Sequence, residues 1–248
     1  MIRTLLLITG AGFVLAAVCF VAAAALGGYN IAERHWGWRH AHDWPVGWDD
    51  GAVPGVRGDG ASGTREIPWT GGDSLEVDVP ADIQFTQGPG PGKLVVSGPR
   101  DAVDHLVLDG SRLESEDGGW WDGPVSVTMT APGVRRFQLA GSGALAIDNY
   151  AQDSLDIDVS GSGRVSAKGK TQSLRLDISG SGDADLAGLR AGRAEADISG
   201  SGRARVAPTE AADLHISGDG EIDLVTHPAS VNSDVTGSGR IIEDAKAG

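Results

Sequence analysis

The sequence predicts an all-β fold: a single-stranded parallel β-helix, or solenoid, of about 20 residues per coil, preceded by an N-terminal transmembrane or signal helix. Three observations predict it. A Gly-Ser-Gly triplet recurs at near-constant spacing, apolar and polar residues alternate on both sides of each triplet, and an uncharged apolar run opens the chain.

Composition narrows the field first. A chain of 248 residues has room for one or two domains. With 38 glycines and only 5% aromatic residues it does not read as helix-rich, and it lacks the strict every-third glycine of collagen. The net charge of −14 opposes binding to a phosphate backbone, so no nucleic-acid partner is expected. The lone cysteine, Cys19, excludes an intrachain disulfide and lies inside the apolar run, where it reads as a small apolar membrane residue.

The first element is that run. Thr4 to Leu26 carries no charge over 23 positions, enough to cross a hydrocarbon core of ~30 Å as a helix. Arg3 and the amino terminus precede it, which keeps that end cytoplasmic and exports the rest. Residues 1–28 are therefore a transmembrane anchor, or a signal peptide cut near Ala22–Ala25. The length of the run favours the anchor. The expected location is the cell envelope: a single-pass inner-membrane protein with its C-terminal domain in the periplasm, or a secreted one if the signal is cleaved. The membrane is thus the first partner, through residues 4–26.

Residues 29–65 form a Trp/His-rich juxtamembrane segment and a flexible linker. Trp36, Trp38, Trp44 and Trp48 fall within 13 positions and suit an interfacial collar. His35, His40, His42 and Asp43 are weak metal candidates, because no regular secondary structure converges them at these spacings. Gly, Pro and Asp dominate residues 45–65.

The solenoid domain is assigned to residues 66–248. Over 66–139 the sets Leu75/Val77/Val79, Ile83/Phe85, Leu94/Val96 and Val125/Val127/Met129 alternate, separated by glycine- and proline-rich turns. These read as irregular coils or a β cap, which would cover strand edges at the solenoid's end. Trp120-Trp121 is a core plug under a loop or an exposed patch.

The regular repeats span 140–245. Their corners are Gly141/Gly143, Gly161/Gly163, Gly180/Gly182, Gly200/Gly202, Gly218/Gly220 and Gly237/Gly239, at spacings of 20, 19, 20, 18 and 19. Ahead of the corners the inward positions are Leu155/Ile157/Val159, Leu174/Leu176/Ile178, Ala194/Ala196/Ile198, Ala212/Leu214/Ile216 and, more weakly, Val231/Ser233/Val235. After them come Leu145/Ile147, Val165/Ala167, Ala184/Leu186, Ala204/Val206 and Ile222/Leu224. Period two means strands with one buried face, and a unit this short must stack on copies of itself to bury it. The glycines are expected to supply positive φ and close approach between coils. Six coils at the ~4.8 Å strand spacing make a rod of roughly 29 Å.

Stacking makes further columns. The residue after each triplet reads Arg164, Asp183, Arg203, Glu221, Arg240, a ladder of alternating charge. The residue three places before each corner reads Gln138, Asp158, Asp177, Asp197, His215, Asp234. Asp158, Asp177 and Asp197 are weak calcium candidates against a salt-screened acidic face, since the glycine-rich calcium nonapeptide is absent. The corner serines are expected to hydrogen-bond the corners rather than act as nucleophiles.

The Val/Ile-Ser-Gly-Ser-Gly units at Val159–Gly163, Ile178–Gly182 and Ile198–Gly202, with Leu75–Phe85, Leu94–Gly98 and Asp109–Leu113 upstream, resemble the bacterial auto-transporter adhesin head, or GIN, domain family. The resemblance covers about residues 66–245. It implies a β-helix in the cell envelope and transfers no catalytic residue. An auto-transporter carries a C-terminal membrane barrel; here the N-terminal helix is expected to anchor instead.

The function expected is a non-catalytic cell-envelope binding or structural module, adhesin-like, displaying a rigid β-rod to a polysaccharide or an envelope protein. No catalytic residue and no cofactor is assigned. The alternatives are a carbohydrate-active β-helix enzyme, disfavoured because the connections are too short to build a water-excluding cleft around paired carboxylates, and a membrane-linked envelope signalling accessory.

Overall fold

The computed structural model describes residues 62–116, 121 and 123–243. The anchor or signal at 1–28, the aromatic collar, the histidines at 35, 40 and 42 with Asp43, and Trp120 lie outside the described residues. Among the described residues no helix is long and apolar enough to cross a membrane. The described residues belong to one compact unit.

The long strands follow from the repeat. β9 (Ala144–Gly161), β10 (Arg164–Gly180), β11 (Asp183–Gly200) and β12 (Arg203–Gly218) each run for most of a coil, with β13 (Glu221–Leu224), β14 (Ser230–Gly237) and β15 (Arg240–Glu243) completing the stack. All pair in parallel, and the register follows the repeat. Leu174 sits opposite Leu155 and Ala194, Ile178 opposite Val159 and Ile198, Gly180 opposite Gly161 and Gly200. Six Gly-X-Gly corners separated by five turns of about 20 residues thus lie one above another. Each corner joins an upstream arm, such as 155–160, to a downstream arm, such as 164–167. A third, less regular side closes the coil, and the ladder's register shifts fall there.

The two glycines of a corner do different jobs, dividing between them the expected positive φ and the expected close approach of coils. The first glycines, Gly141, Gly161, Gly180, Gly200, Gly218 and Gly237, have positive φ, from +90° to +126°. At Gly200 a Cβ would lie 2.5 Å from the carbonyl oxygen of Gly180 in the coil below. The second glycines, Gly143, Gly163, Gly182, Gly202, Gly220 and Gly239, have no positive φ. The first five of these are buried rather than displayed at the corner. Their task is to make room. A Cβ at Gly143 would lie 2.7 Å from the Ala81 carbonyl oxygen of the cap coil, and one at Gly220 would lie 2.7 Å from the Ile198 side chain. The chain turns inward at the second glycine, so the space a side chain would need is already filled by the layer below. Between coils the serine backbone N–H donates to the first glycine's carbonyl, as in Ser201 to Gly180 at 2.8 Å. The corner serine hydroxyls are exposed and make no side-chain hydrogen bond among the described residues, contrary to the expected role.

The inward residues of both arms form one apolar column, from Leu145 through Ile178 to Leu224, each buried. The last set departs from the expectation. β14 is exposed along its length, with Val231 at 37% and Val235 at 39%, because it belongs to the terminal layer and pairs only with β12.

The N-terminal part is layered by a detour of the chain. β1 (Ser62–Pro68) precedes β2 (Ser74–Val77) and β3 (Asp82–Gln87), which form a coil without the glycine triplet. The chain then leaves the stack through β4 (Lys93–Pro99), α1 (Arg100–His105) and β5 (Leu106–Asp109). It returns as β6 (Arg112–Ser115) and β7 (Ser126–Ala131), a layer beneath β2 and β3. Finally β8 (Arg136–Gly141) and the start of β9 stack on the other side of β2 and β3. The end is closed by antiparallel strands: β4 on β7, β1 on β4, β5 on β6. Irregular coils and a cap are therefore both present. The antiparallel pairing and the helix are additions that period-two patterning does not reveal. Trp121 packs partly buried against the core, the plug reading of that position.

Candidate functional site

Two outward faces flank each corner, and their side chains are fixed by the strand pairing beneath them. On the downstream face the expected charge ladder is present: Arg164, Asp183, Arg203, Glu221 and Arg240 are consecutive register partners. Arg164 lies 3.9 Å from Asp183, Arg203 lies 3.4 Å from Glu221, and Arg240 also contacts Glu221. A second ladder, missed in the sequence, runs beside it: Arg205 stands between Asp185 at 3.6 Å and Asp223 at 4.0 Å. Reading the third residue after each corner, as well as the first, would have found it.

On the upstream face Asp158, Asp177, Asp197, His215 and Asp234 form one column, with Gln138 at its start. Burial raises the carboxyl of Asp158 above its usual range, with Asp177 adding to the effect. Burial and then Asp177 do the same to Asp197, opposed by His215 and Arg175. The adjacent column supplies the screening. Arg175 reaches Glu195 at 2.6 Å, Asp177 at 3.0 Å and Asp197 at 4.0 Å, and its own pKa is raised by Asp177 and Glu195. Arg136 pairs with Asp156 at 3.5 Å, and His215 lies 3.2 Å from Asp213. One guanidinium thus supplies positive charge to three carboxylates of the two columns. Among the described residues no group of three His, Cys, Asp or Glu side chains is arranged to hold a metal ion.

The cap end of the downstream face is different in character. Ala144 and Ala146 stand where neighbouring layers carry Asp82, Gln84, Arg164 and Ser166, so the sheet dips into an open depression of about 320 Å³. Its floor is small and apolar, and its rim carries one acid, one arginine and several hydroxyl and amide groups. Such a surface suits contact with a polar, partly apolar partner. The elements of nucleophilic or acid–base chemistry, a nucleophile held by its base or two carboxylates facing across a closed cleft, are not assembled on either face among the described residues.

The edge between the two faces is formed by the first glycine and the serine or aspartate of each corner. Gly143, Gly163, Gly182, Gly202 and Gly220 sit beneath it, buried and out of reach of a ligand. Tyr150 is buried on the third side of the coil, where it donates to the Ser154 carbonyl; burial pushes its phenol up. At the cap, Arg112 binds Asp78 and lies 3.7 Å from Glu76 and 3.3 Å from Glu114, tying β6 to the coil above.

Comparison with known proteins places this architecture. The family model described as "Putative auto-transporter adhesin, head GIN domain" matches residues 73–228. A crystal structure of a putative adhesin from Bacteroides fragilis NCTC 9343 is similar with a TM-score of 0.62 and 22% identity, over 77% of this chain and 100% of that one. A putative lipid binding protein from Parabacteroides distasonis ATCC 8503 matches at TM-score 0.47 and 22% identity, over 75% of this chain and 98% of that one. A putative adhesin from the same organism matches at TM-score 0.43 and 17% identity, with the same coverage. No curated protein matches.

Proposed function

The chain belongs to the family described as putative auto-transporter adhesin, head GIN domain, and on that premise we propose that it is a non-catalytic binding module of the cell envelope. The observation that carries the reading is the pair of continuous, ion-paired outward faces on a stack held in register by its backbone. A rigid rod of this kind presents many side chains at fixed spacing with little ordering cost on binding, which favours a repetitive or extended partner. The polysaccharides and proteins of the envelope are such partners. The family's description as an adhesin head names binding rather than chemistry.

In this reading residues 1–28 anchor the chain in the inner membrane, residues 29–65 form the juxtamembrane segment and tether, and residues 66–248 stand in the periplasm. The support is the uncharged Thr4–Leu26 run after Arg3. Probing the purified full-length chain against arrayed envelope glycans tests the reading. Selective binding is expected. Turnover of a glycan, rather than its retention, would replace the module with an enzyme. Protease digestion of intact spheroplasts tests the topology: the solenoid should be cleaved away while the anchor stays with the membrane.

A further inference from the structure

On the third side of the coil, charge pairing breaks down. From β8 onward Arg136, Arg164, Arg175, Arg203, Arg205 and Arg240 each reach a carboxylate. Lys168, Lys170, Arg190 and Arg193 do not; among the described residues their side chains have neither an ion-pair nor a hydrogen-bond partner. Lys170 and Arg190 are moreover direct register partners in adjacent coils, where like charges repel. Four uncompensated cations thus gather on two consecutive coils of a chain whose net charge is −14.

The same place is hollow. The ladder slips between Leu186 and Arg190 and again between Ala191 and Arg193, so the β11–β12 pairing is interrupted on either side of the Arg190–Ala207 and Ala191–Pro208 pairs. The result is a cleft of about 560 Å³ lined by Thr171, Gln172, Arg190, Gly192, Arg193 and Glu210, among others. A second hollow of about 310 Å³ shares Thr171 and Gln172 and continues past Lys170 to Asp153. Together they form a groove crossing successive coils, parallel to the solenoid axis. Its floor is firm: Thr171 and Ala191 are buried, and a Cβ at Gly192 would lie 2.8 Å from the Gln172 carbonyl oxygen. The Thr171 and Thr209 hydroxyls are already committed to the carbonyls of Ser173 and Ala191, and the Gln172 amide donates to Asp153 at 3.4 Å, so the groups left for a ligand are the cations, the Glu210 carboxylate and the second oxygen of Asp153.

We propose that this groove binds an acidic glycan, a chain of carboxylate-bearing sugars lying along the axis. The planar guanidinium forks of Arg190 and Arg193 match a carboxylate, and Lys170 offers a second positive charge one coil away. Glu210 and Asp153, at the two ends of the groove, accept hydrogen bonds from sugar hydroxyls. They would repel a polyphosphate, which brings negative charge without donors. The proposal rests on the reading of the chain as a binding module and deepens it by naming a site and a ligand class.

Fluorescence anisotropy of labelled oligogalacturonate with the full-length chain in a neutral detergent tests it. Binding is expected and should weaken as salt rises. The double variant Arg190→Gln, Arg193→Gln should bind at least tenfold more weakly, with an unchanged circular dichroism spectrum because both side chains are exposed. Arg203→Gln, on the ion-paired downstream face, should bind like the parent. Absence of oligogalacturonate binding, undiminished binding by the double variant, equal binding of a neutral glucan of the same length, or preference for a linear polyphosphate would each overturn the proposal. Glycan binding that survives the double variant would refute the groove and leave the module reading standing. A chain that retains no envelope glycan or protein at all would remove the module reading too.

Discussion

Between Gly141 and Gly239 the coils repeat at a near-constant spacing and most residues have an equivalent one coil away, while between Ser62 and Ala131 the layers stack without a fixed sequence spacing and are closed by antiparallel strands. On the two arms that flank the corner a position is satisfied by a like or complementary residue: Gly180 opposes Gly161 and Gly200, Ile178 opposes Val159 and Ile198, Arg175 opposes Asp156 and Glu195. A one-residue slip would turn every apolar side chain outward and move each glycine off its corner, so the register is specified many times over. In the cap the same physical demands are met by single devices. Trp69 fills the space over two turns, where a Cβ at Gly71 or Gly92 would collide with its ring. Phe85 and Phe137 meet edge to face at 5.0 Å where the cap coil joins the regular stack. Arg112 clasps the carboxylates of two layers. Repetition thus holds the coils through redundancy, and the cap depends on particular residues.

Substitutions sharpen this contrast, beginning with the largest effect. Phe85→Ala removes a fully buried ring at the junction and should destabilise the fold by about 4 kcal/mol in urea titrations. A loss below about 1 kcal/mol would mean that the junction is not a special point. Gly200→Ala comes next. It combines φ +122° with a contact of 2.5 Å to a neighbouring carbonyl, and should cost about 3 kcal/mol by the same titration. Gly110→Ala, at φ +60° with open space around it, should cost only about 1 kcal/mol. Equal losses at the two glycines would show that backbone conformation, rather than coil-to-coil approach, sets the demand at the corner.

Smaller effects come from the charged columns. Arg203→Glu places a third acid between Asp183 and Glu221 and should lower stability by roughly 1 kcal/mol at low salt, with most of the loss recovered at high salt. Asp158→Asn should have the smallest effect at neutral pH. The carboxyl of Asp158 is raised in the folded state, so the native chain takes up that proton first as pH falls. Its contribution therefore grows as pH drops from neutral through the raised value, and is lost as pH rises through it. The asparagine variant should flatten that part of the melting temperature's rise towards acid. An unchanged pH profile would show that the column is not desolvated.

The sequence made the coils legible because their interactions join residues at a fixed separation. Counting along the chain found the corners, both inward arms, the alternating ladder and the aspartate column, since a repeat turns sequence distance into spatial contact. It did not separate the two glycines of a corner, because a triplet reads alike whether glycine is needed for its φ, as at Gly218, or for want of room, as at Gly220. The same counting stopped one column short, at Asp185, Arg205 and Asp223. It also missed the groove, because the third side is where the repeat slips: Arg190 lies between two register shifts of the β11–β12 ladder and Arg193 follows the second. The cap was legible as strands but not as topology. Antiparallel closure by β4 and β1 joins residues at separations that follow no period, and the six-residue helix Arg100–His105 is too short for a helical pattern to declare itself. The exposed Val231 and Val235 show the opposite limit, a pattern that continues for one layer after there is anything left to cover it.

The most direct test of in-register stacking is disulfide crosslinking, with Cys19→Ala as the background. Ser179 and Ser199 are register partners in adjacent coils, while Ser217 lies one coil beyond Ser199. Adjacent coils stand ~4.8 Å apart, within disulfide reach, and alternate coils at about twice that spacing do not. Mild oxidation followed by peptide mass spectrometry should find the crosslink in the Ser179→Cys, Ser199→Cys chain and not in the Ser179→Cys, Ser217→Cys chain. Crosslinking of the second pair as readily as the first, or of neither, would contradict the stacked arrangement.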